Sequence, residues 1–374
     1  MRRKWVMCYN DDPGSPHSSG VISGKREQTM SEGLSRRKFL ETAGMAGVGL
    51  MWNPRLLNDE PLPEEAAPPP ITHWDGSPLG RILLNWMRVY EEPSWRARVV
   101  GGLNYNTIVP VLGAVVGEGL YHTNSTWLEV EGGYIYSSWV QPVNNVPDNP
   151  VIPIGEGGAW GTVTVPFAEA RTIPSLDAPV WTRMIYSTVH RIVGEENGFY
   201  HIDEGYGAAY WLRAGDVRII PPEEVGPISP HVPPEEKRIE ISIRNQRLTA
   251  FEGDQPVFSV LVSTGMPGTP TPLGEFTVLR KRHGHRMAGG LGPGAYNLPG
   301  IPYVCYINRR WVATHGTYWH NDYGRMHSHG CINMLPSHAQ WVFRWTTPYP
   351  NYFTFETLPD AEAGQPGTRV IVTY

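Results

Sequence analysis

Cysteine is scarce, with three residues in a chain of 374. Cys8 stands ahead of a basic and then apolar segment with the character of a leader, so a mature chain would keep only Cys305 and Cys331, which excludes a disulfide scaffold. Charge is also sparse, at 18% Asp, Glu, Lys and Arg with a net value of −5, and the basic residues are scattered. No electrostatic footprint for a nucleic-acid backbone is visible, and nucleic acid is excluded as a partner. The apolar stretch from about Ala43 to Trp52 is too short to cross a hydrocarbon core of about 30 Å. What the chain does have is turn-formers and aromatics: 41 Gly, 36 Pro, 14 Trp and 18 Tyr, a balance that suits many short strands joined by tight turns. Its length calls for several domains.

Ser35, Arg36, Arg37, Lys38, Phe39 and Leu40 precede that apolar stretch and resemble a twin-arginine export signal. The resemblance implies an exported protein of the cell envelope, brought there by export machinery and membrane-attached only if the leader stays on. Residues 1–57 are therefore read as the leader, with Met30 as a natural start, and 58–78 as a Pro-rich linker.

From 79 to 147 short apolar runs are punctuated by Gly, Pro and Asn, and the alternation Trp127 to Tyr136 predicts a hairpin. Residues 148–225 end similarly, with Tyr200 to Asp203 facing Tyr210 to Leu212, so the two stretches read as divergent copies of one small β module. Each resembles an SH3-like barrel, with Trp139 to Val143 and Ala214 to Arg218 at the matching closing strand. Such modules either bind the wall or serve as spacers that orient a catalytic domain. A second Pro-rich linker spans 226–236, and a third domain spans 237–374. There Ile239, Ile241 and Ile243 alternate with polar residues, Asn245 and Gln246 turn the chain, Val257 to Val262 reads as a strand buried on both faces, and a helix follows Pro336 with Trp341 and Trp345 on one side.

Seven of the 13 histidines fall between His283 and His338. The informative run is Ser328, His329, Gly330, Cys331, Ile332, Asn333, preceded by Thr314, His315, Gly316. A thiol with an ordinary pKa of about 8.5 needs a nearby imidazole to become a nucleophile at neutral pH, and His315 or His329 could supply it. If a tight turn through Gly330 aims the amides of Gly330 and Cys331 at one point, they form an oxyanion hole, one such donor being worth about 10²- to 10³-fold in rate. His315, brought close by strand pairing, is then the base.

A His-Gly pair followed after a dozen residues by SHGCIN resembles the signature of the L,D-transpeptidase (YkuD-like) catalytic domain. Ser263, Thr264, Gly265 with Thr271, Pro272, Leu273, Gly274, Glu275, Phe276 resembles the family's TPxGEF segment, and Gly367 to Val372 its closing strand. The resemblance covers about the last 140 residues. It implies a mainly β fold: a YkuD-like β-sandwich with one short helix, preceded by the two small barrels. It further implies a cysteine-dependent acyltransferase. Cys331 would attack the third-residue carbonyl of a peptidoglycan stem tetrapeptide, D-Ala would leave, and the thioester would pass to an amine on a neighbouring stem. His315 would be general base and acid, oriented by the Gly316 carbonyl, and Ser328, His329, Asn333 and Tyr296 would bind substrate, with Gly289 to Pro299 on the rim. Many members carry Arg where this chain has Asn333, which can bond a carbonyl but cannot clamp a carboxylate. No cofactor and no metal are implied.

Other readings keep or discard this chemistry. With water as acceptor the enzyme is an L,D-carboxypeptidase, and with a protein amine it anchors proteins. A retired catalytic domain would leave a noncatalytic wall-binding protein. His283, His285, His320, His327, His329 and Cys331 could ligate zinc, but their spacings match none of the usual pairs. His283 and His285 are expected in a solvated loop beside Lys281 and Arg282, and Cys305 as a small core residue.

Overall fold

Period-two alternation dominates the chain, and the computed structural model is accordingly built of strands, with one α-helix at Pro336–Trp345. It describes residues 73–205, 209–289 and 295–374. The leader, most of the first linker and the tip of the 289–299 loop lie outside the described residues. The described residues belong to one compact unit. Among them, no helix is long and apolar enough to cross a membrane.

The two N-terminal stretches share a topology. In the first, the hairpin Asn124–Val130 and Gly133–Tyr136 leads into a single 3-10 turn at Ser137–Trp139, and the strand Val140–Val143 then pairs with the opening strand Leu79–Ile82. In the second, Phe199–Asp203 and Ala209–Arg213 lead through a 3-10 turn at Ala214–Asp216 into Val217–Ile220, which pairs with its opening strand Ala159–Val163. Each first strand is thus closed by its last, and each encloses its own apolar cluster, around Trp127 and Leu128 in one and Tyr200 and Leu212 in the other.

The third part is a sandwich of two sheets. One runs in the order Gln255–Leu261, Arg247–Glu252, Lys237–Ser242, Arg369–Thr373, Gly274–Thr277, and the other in the order Arg280–Gly289, Tyr296–Tyr306, Ala313–Gly316, Ile332–Met334. Lys237–Ser242 and Arg369–Thr373 run parallel. The helix forms as its apolar spacing requires, burying Ala339, Val342, Phe343 and Trp345, with Trp341 stacked on Trp345 at 5.5 Å. Two buried lysines close its C-terminal end: Lys281 Nζ donates to the Phe343 and Thr346 carbonyls at 2.6 Å each, and Lys237 Nζ to the Trp345 carbonyl at 3.1 Å.

Two expectations fail here. The run Val257–Val262 is not buried on both faces: Gln255–Leu261 is the mostly exposed edge strand, and the strand that turns back from Gln246 is Arg247–Glu252. A continuous apolar run does not by itself distinguish a central strand from an edge. His283 and His285 are not in a solvated loop either. They lie buried with Lys281 and Arg282 in the strand Arg280–Gly289, where distant partners replace water: the helix carbonyls for Lys281, Glu356 at 2.8 Å for Arg282, the Tyr306 hydroxyl at 2.6 Å for His285, and the face of Trp160 for the ring of His283.

This strand also fuses the second module to the sandwich. Trp160, Val189, Ile220 and Val225 belong to the same apolar core as Ile239, Ile241 and Phe343. Trp160 stacks on His283 at 4.8 Å and donates from Nε1 to the Tyr352 carbonyl at 2.8 Å. Burial holds His190, His283 and His285 down to about 3 from 6.5. The unfolded chain binds protons on these rings as pH falls below 6.5 and the folded chain does not, so stability declines from pH 6.5 toward 3. Urea midpoints measured at pH 7, 6, 5 and 4 should fall steadily, and His283→Phe should fall less steeply; parallel slopes would contradict the assignment.

Candidate functional site

Strand order puts the motif residues side by side. Ala313–Gly316 pairs antiparallel with Tyr296–Tyr306 and parallel with Ile332–Met334, in the register Thr314 to Ile332 and His315 to Asn333. Side chains alternate along strands. Ile332 and Met334 enter the main core, while Cys331 packs against the separate cluster of Ile301, Val304, Tyr306, Ala313 and Tyr318. Cys331, Asn333 and His315 therefore take the face turned away from the main core. Cys331 is half-buried, and its thiol donates to the Trp311 carbonyl at 3.7 Å.

The turn that presents Cys331 is built from the motif's small residues. Gly330 has φ +118°, a conformation an L side chain would strain. Ser328 Oγ donates to the Cys331 carbonyl at 2.5 Å and accepts from the Gly330 amide at 3.0 Å. The Gly330 amide is thus engaged by Ser328, contrary to the expectation that it joins the Cys331 amide in an oxyanion hole. From outside the turn, Thr271 Oγ1 donates to the Gly330 carbonyl at 2.8 Å and accepts from the Gly265 amide at 2.9 Å. Thr269 Oγ1 and the Met266 amide both bond the Ser328 carbonyl. The Ser263 to Phe276 segment thus braces the cysteine turn.

His315 is buried, and its Nδ1 donates to the Gly316 carbonyl at 3.0 Å, leaving Nε2 as the ring's acceptor. Burial lowers it to about 4, so the imidazole is neutral and able to take a proton throughout the neutral range. Burial also pushes the Cys331 thiol up to about 11, which the Ala313 amide opposes. At rest Cys331 is a thiol and His315 a neutral imidazole. A thiol and a neutral imidazole in those states suit concerted proton transfer rather than a preformed thiolate.

Of the residues expected to meet substrate, Tyr296 and His329 come together at 5.5 Å between ring centres, Tyr296 half-buried and His329 exposed. Burial raises Tyr296, with the nearby Cys331 sulfur adding to the shift. Ser328 is spent on the turn. The side-chain amide of Asn333 meets His320 Nε2 at 2.9 Å. Sequence reasoning missed Trp311 and named His320 only as a potential zinc ligand. Trp311 has φ +67° and 56% of its surface exposed, in a turn where Asn308 Oδ1 accepts from the Arg310 and Val312 amides. An Asn three residues ahead of a Trp was the available signal. Among the described residues, no three His, Cys, Asp or Glu side chains converge on a metal-sized point.

No curated protein matches the chain significantly. Among solved structures, the NMR structure of the catalytic domain from the Enterococcus faecium L,D-transpeptidase is 26% identical, covering 37% of this chain and 98% of that one with a TM-score of 0.29. The crystal structure of a mutant of the E. faecium L,D-transpeptidase is 24% identical over 37% of this chain and 50% of that one, TM-score 0.29, so the present chain spans about half its length. An L,D-transpeptidase from Mycobacterium smegmatis is 18% identical over 48% of this chain and 79% of that one, TM-score 0.31. Residues 236–372, the segment that holds the whole cysteine–histidine arrangement, match the family model of YkuD, the L,D-transpeptidase catalytic domain.

Proposed function

We propose that the chain is an exported peptidoglycan L,D-transpeptidase in which Cys331 is the nucleophile and His315 the general base and acid. The observation that carries this reading is the parallel register of Ala313–Gly316 and Ile332–Met334, with the Gly316 carbonyl fixing the tautomer of His315. The thiol proton passes to His315 Nε2 as Sγ bonds the third-residue carbonyl carbon of a stem tetrapeptide. The C–N bond to D-Ala then breaks, and His315 returns the proton to the departing amine. The side-chain amine of a diamino acid on a neighbouring stem attacks the thioester, His315 accepts its proton, and the thiol is restored with a bond between two third residues. Because the Gly330 amide is engaged, the oxyanion falls to the Cys331 amide.

The repeated topology of 79–147 and 148–225 supports SH3-like barrels, and the core that the second shares with 237–374 supports a scaffolding role for it over a wall-binding one. Incubating the full chain with purified disaccharide-tetrapeptide should yield free D-Ala and a crosslinked dimer, read by mass spectrometry. Tripeptide without dimer would make water the acceptor. Neither product from folded protein would sink the assignment.

A further inference from the structure

Cys331 and His315 are joined by the segment 317–327, and this segment is held from outside the sandwich. Asp322 is fully buried; its carboxylate accepts from Ser138 Oγ at 2.7 Å, from Arg325 Nη1 at 2.7 Å and from His327 Nε2 at 2.6 Å. Ser138 belongs to the first N-terminal module, whose buried Arg81 also donates to the Tyr318 carbonyl at 2.5 Å. The ring of His320 stacks on His327 at 4.7 Å. His320 thus lies between the anchored ring of His327 and the side chain of Asn333.

We propose that His320 is a positioning residue that acts through Asn333, setting which end of its amide meets the donor stem. The inference rests on the reading of Cys331 as the acylated thiol. His320 is buried and held neutral, chiefly by burial and next by the His327 ring. A neutral imidazole has one donor and one acceptor. The Asp322 amide approaches Nδ1 at 3.3 Å, making Nδ1 the acceptor and placing the ring proton on Nε2. That proton points at the Asn333 amide 2.9 Å away and requires its oxygen there. As placed, Asn333 Nδ2 faces His320 Nε2 and Oδ1 is the buried end with no hydrogen-bond partner; a half-turn about the terminal bond exchanges the two, so that the oxygen accepts from His320 and the NH2 takes the unpartnered end. Asn333 is 1% exposed, lies opposite His315 in the sheet and shares a strand face with Cys331. A donor at that end has no side-chain acceptor in the folded chain, and a donor-stem carbonyl brought beside Asn333 would supply one.

Two rates on the full-length chain test this: acylation by a carbapenem, and alkylation of Cys331 by iodoacetamide, which needs the thiol but no carbonyl recognition. His320→Leu should slow acylation about tenfold, the worth of one neutral hydrogen bond, with alkylation changed less than twofold. His320→Gln, which can still donate to Asn333, should restore most of the acylation rate. Unchanged acylation in His320→Leu, an equal fall in both rates, or a Gln variant no better than Leu would each overturn the proposal. If His320→Leu does not fold, Asn333→Asp decides: it keeps an oxygen for His320 but replaces the free NH2, and wild-type acylation in that variant would overturn it. A wild-type chain that alkylates but takes no carbapenem would instead overturn the acyl-enzyme reading beneath it.

Discussion

Cys331→Ala is expected to take up no carbapenem in an intact-mass experiment on the folded chain, whereas the wild type should gain one adduct, and His315→Ala should gain it about 10²- to 10⁴-fold more slowly. The sizes differ because the residues do different things. Without the sulfur no thioester can form. Without the imidazole the thiol remains, but burial has pushed it up to about 11, so almost none is ionised at neutral pH and the proton has no acceptor in the transition state. The acid limb of the wild-type rate should lie well below pH 6.5, since His315 stays neutral down to about 4. Cys305→Ala is the control: Cys305 is 1% exposed in the main core, and its loss should leave the adduct in place. An adduct on Cys331→Ala would end the proposal.

The second large effect concerns stability. Trp160→Ala should destabilise the chain by about 3–5 kcal/mol, the usual cost of emptying a buried Trp site. Trp160 comes from the second module but lies in the core of the sandwich, where its removal also takes away the Nε1 bond to Tyr352 and the face on which His283 stacks. Urea unfolding should shift to lower midpoint and broaden into two steps as the module detaches. Trp86→Ala, at a site 60% exposed, should move the midpoint by no more than about 0.5 kcal/mol equivalent. A Trp160→Ala chain as stable as Trp86→Ala would mean that the shared core contributes nothing.

What could be read in advance was local in sequence or set by backbone chemistry. The hairpin at Trp127 to Tyr136 announced itself by alternation around Gly132 and Gly133, and the helix by Pro336 followed by Trp341 and Trp345 four apart. His315 and Cys331 could be singled out because a reactive thiol needs a base, and the pairing of their two segments follows from the strand register. Partners far apart in sequence were not legible. Lys281 looked solvated because nothing near it in the chain could replace water; the carbonyls that do so are those of Phe343 and Thr346. His320 was read only as a possible metal ligand for the same reason, since the chain of contacts behind it runs through His327 and Asp322 to Ser138, in another module. The engagement of the Gly330 amide depended on which rotamer the Ser328 hydroxyl adopts, and no pattern of residue types encodes that.

The parallel pairing of Lys237–Ser242 with Arg369–Thr373 has a temporal meaning. These strands sit at opposite ends of the domain's sequence yet next to one another inside the five-stranded sheet, and Gly274–Thr277 has Arg369–Thr373 as its sole neighbour there. During synthesis the sheet can only wait, with an open edge on each side of a missing strand, until the end of the domain has emerged from the ribosome. Such long-range closure is slow, and exposed edges attract other chains meanwhile. The assembly of this domain is therefore expected to depend on what shields the nascent chain during that interval.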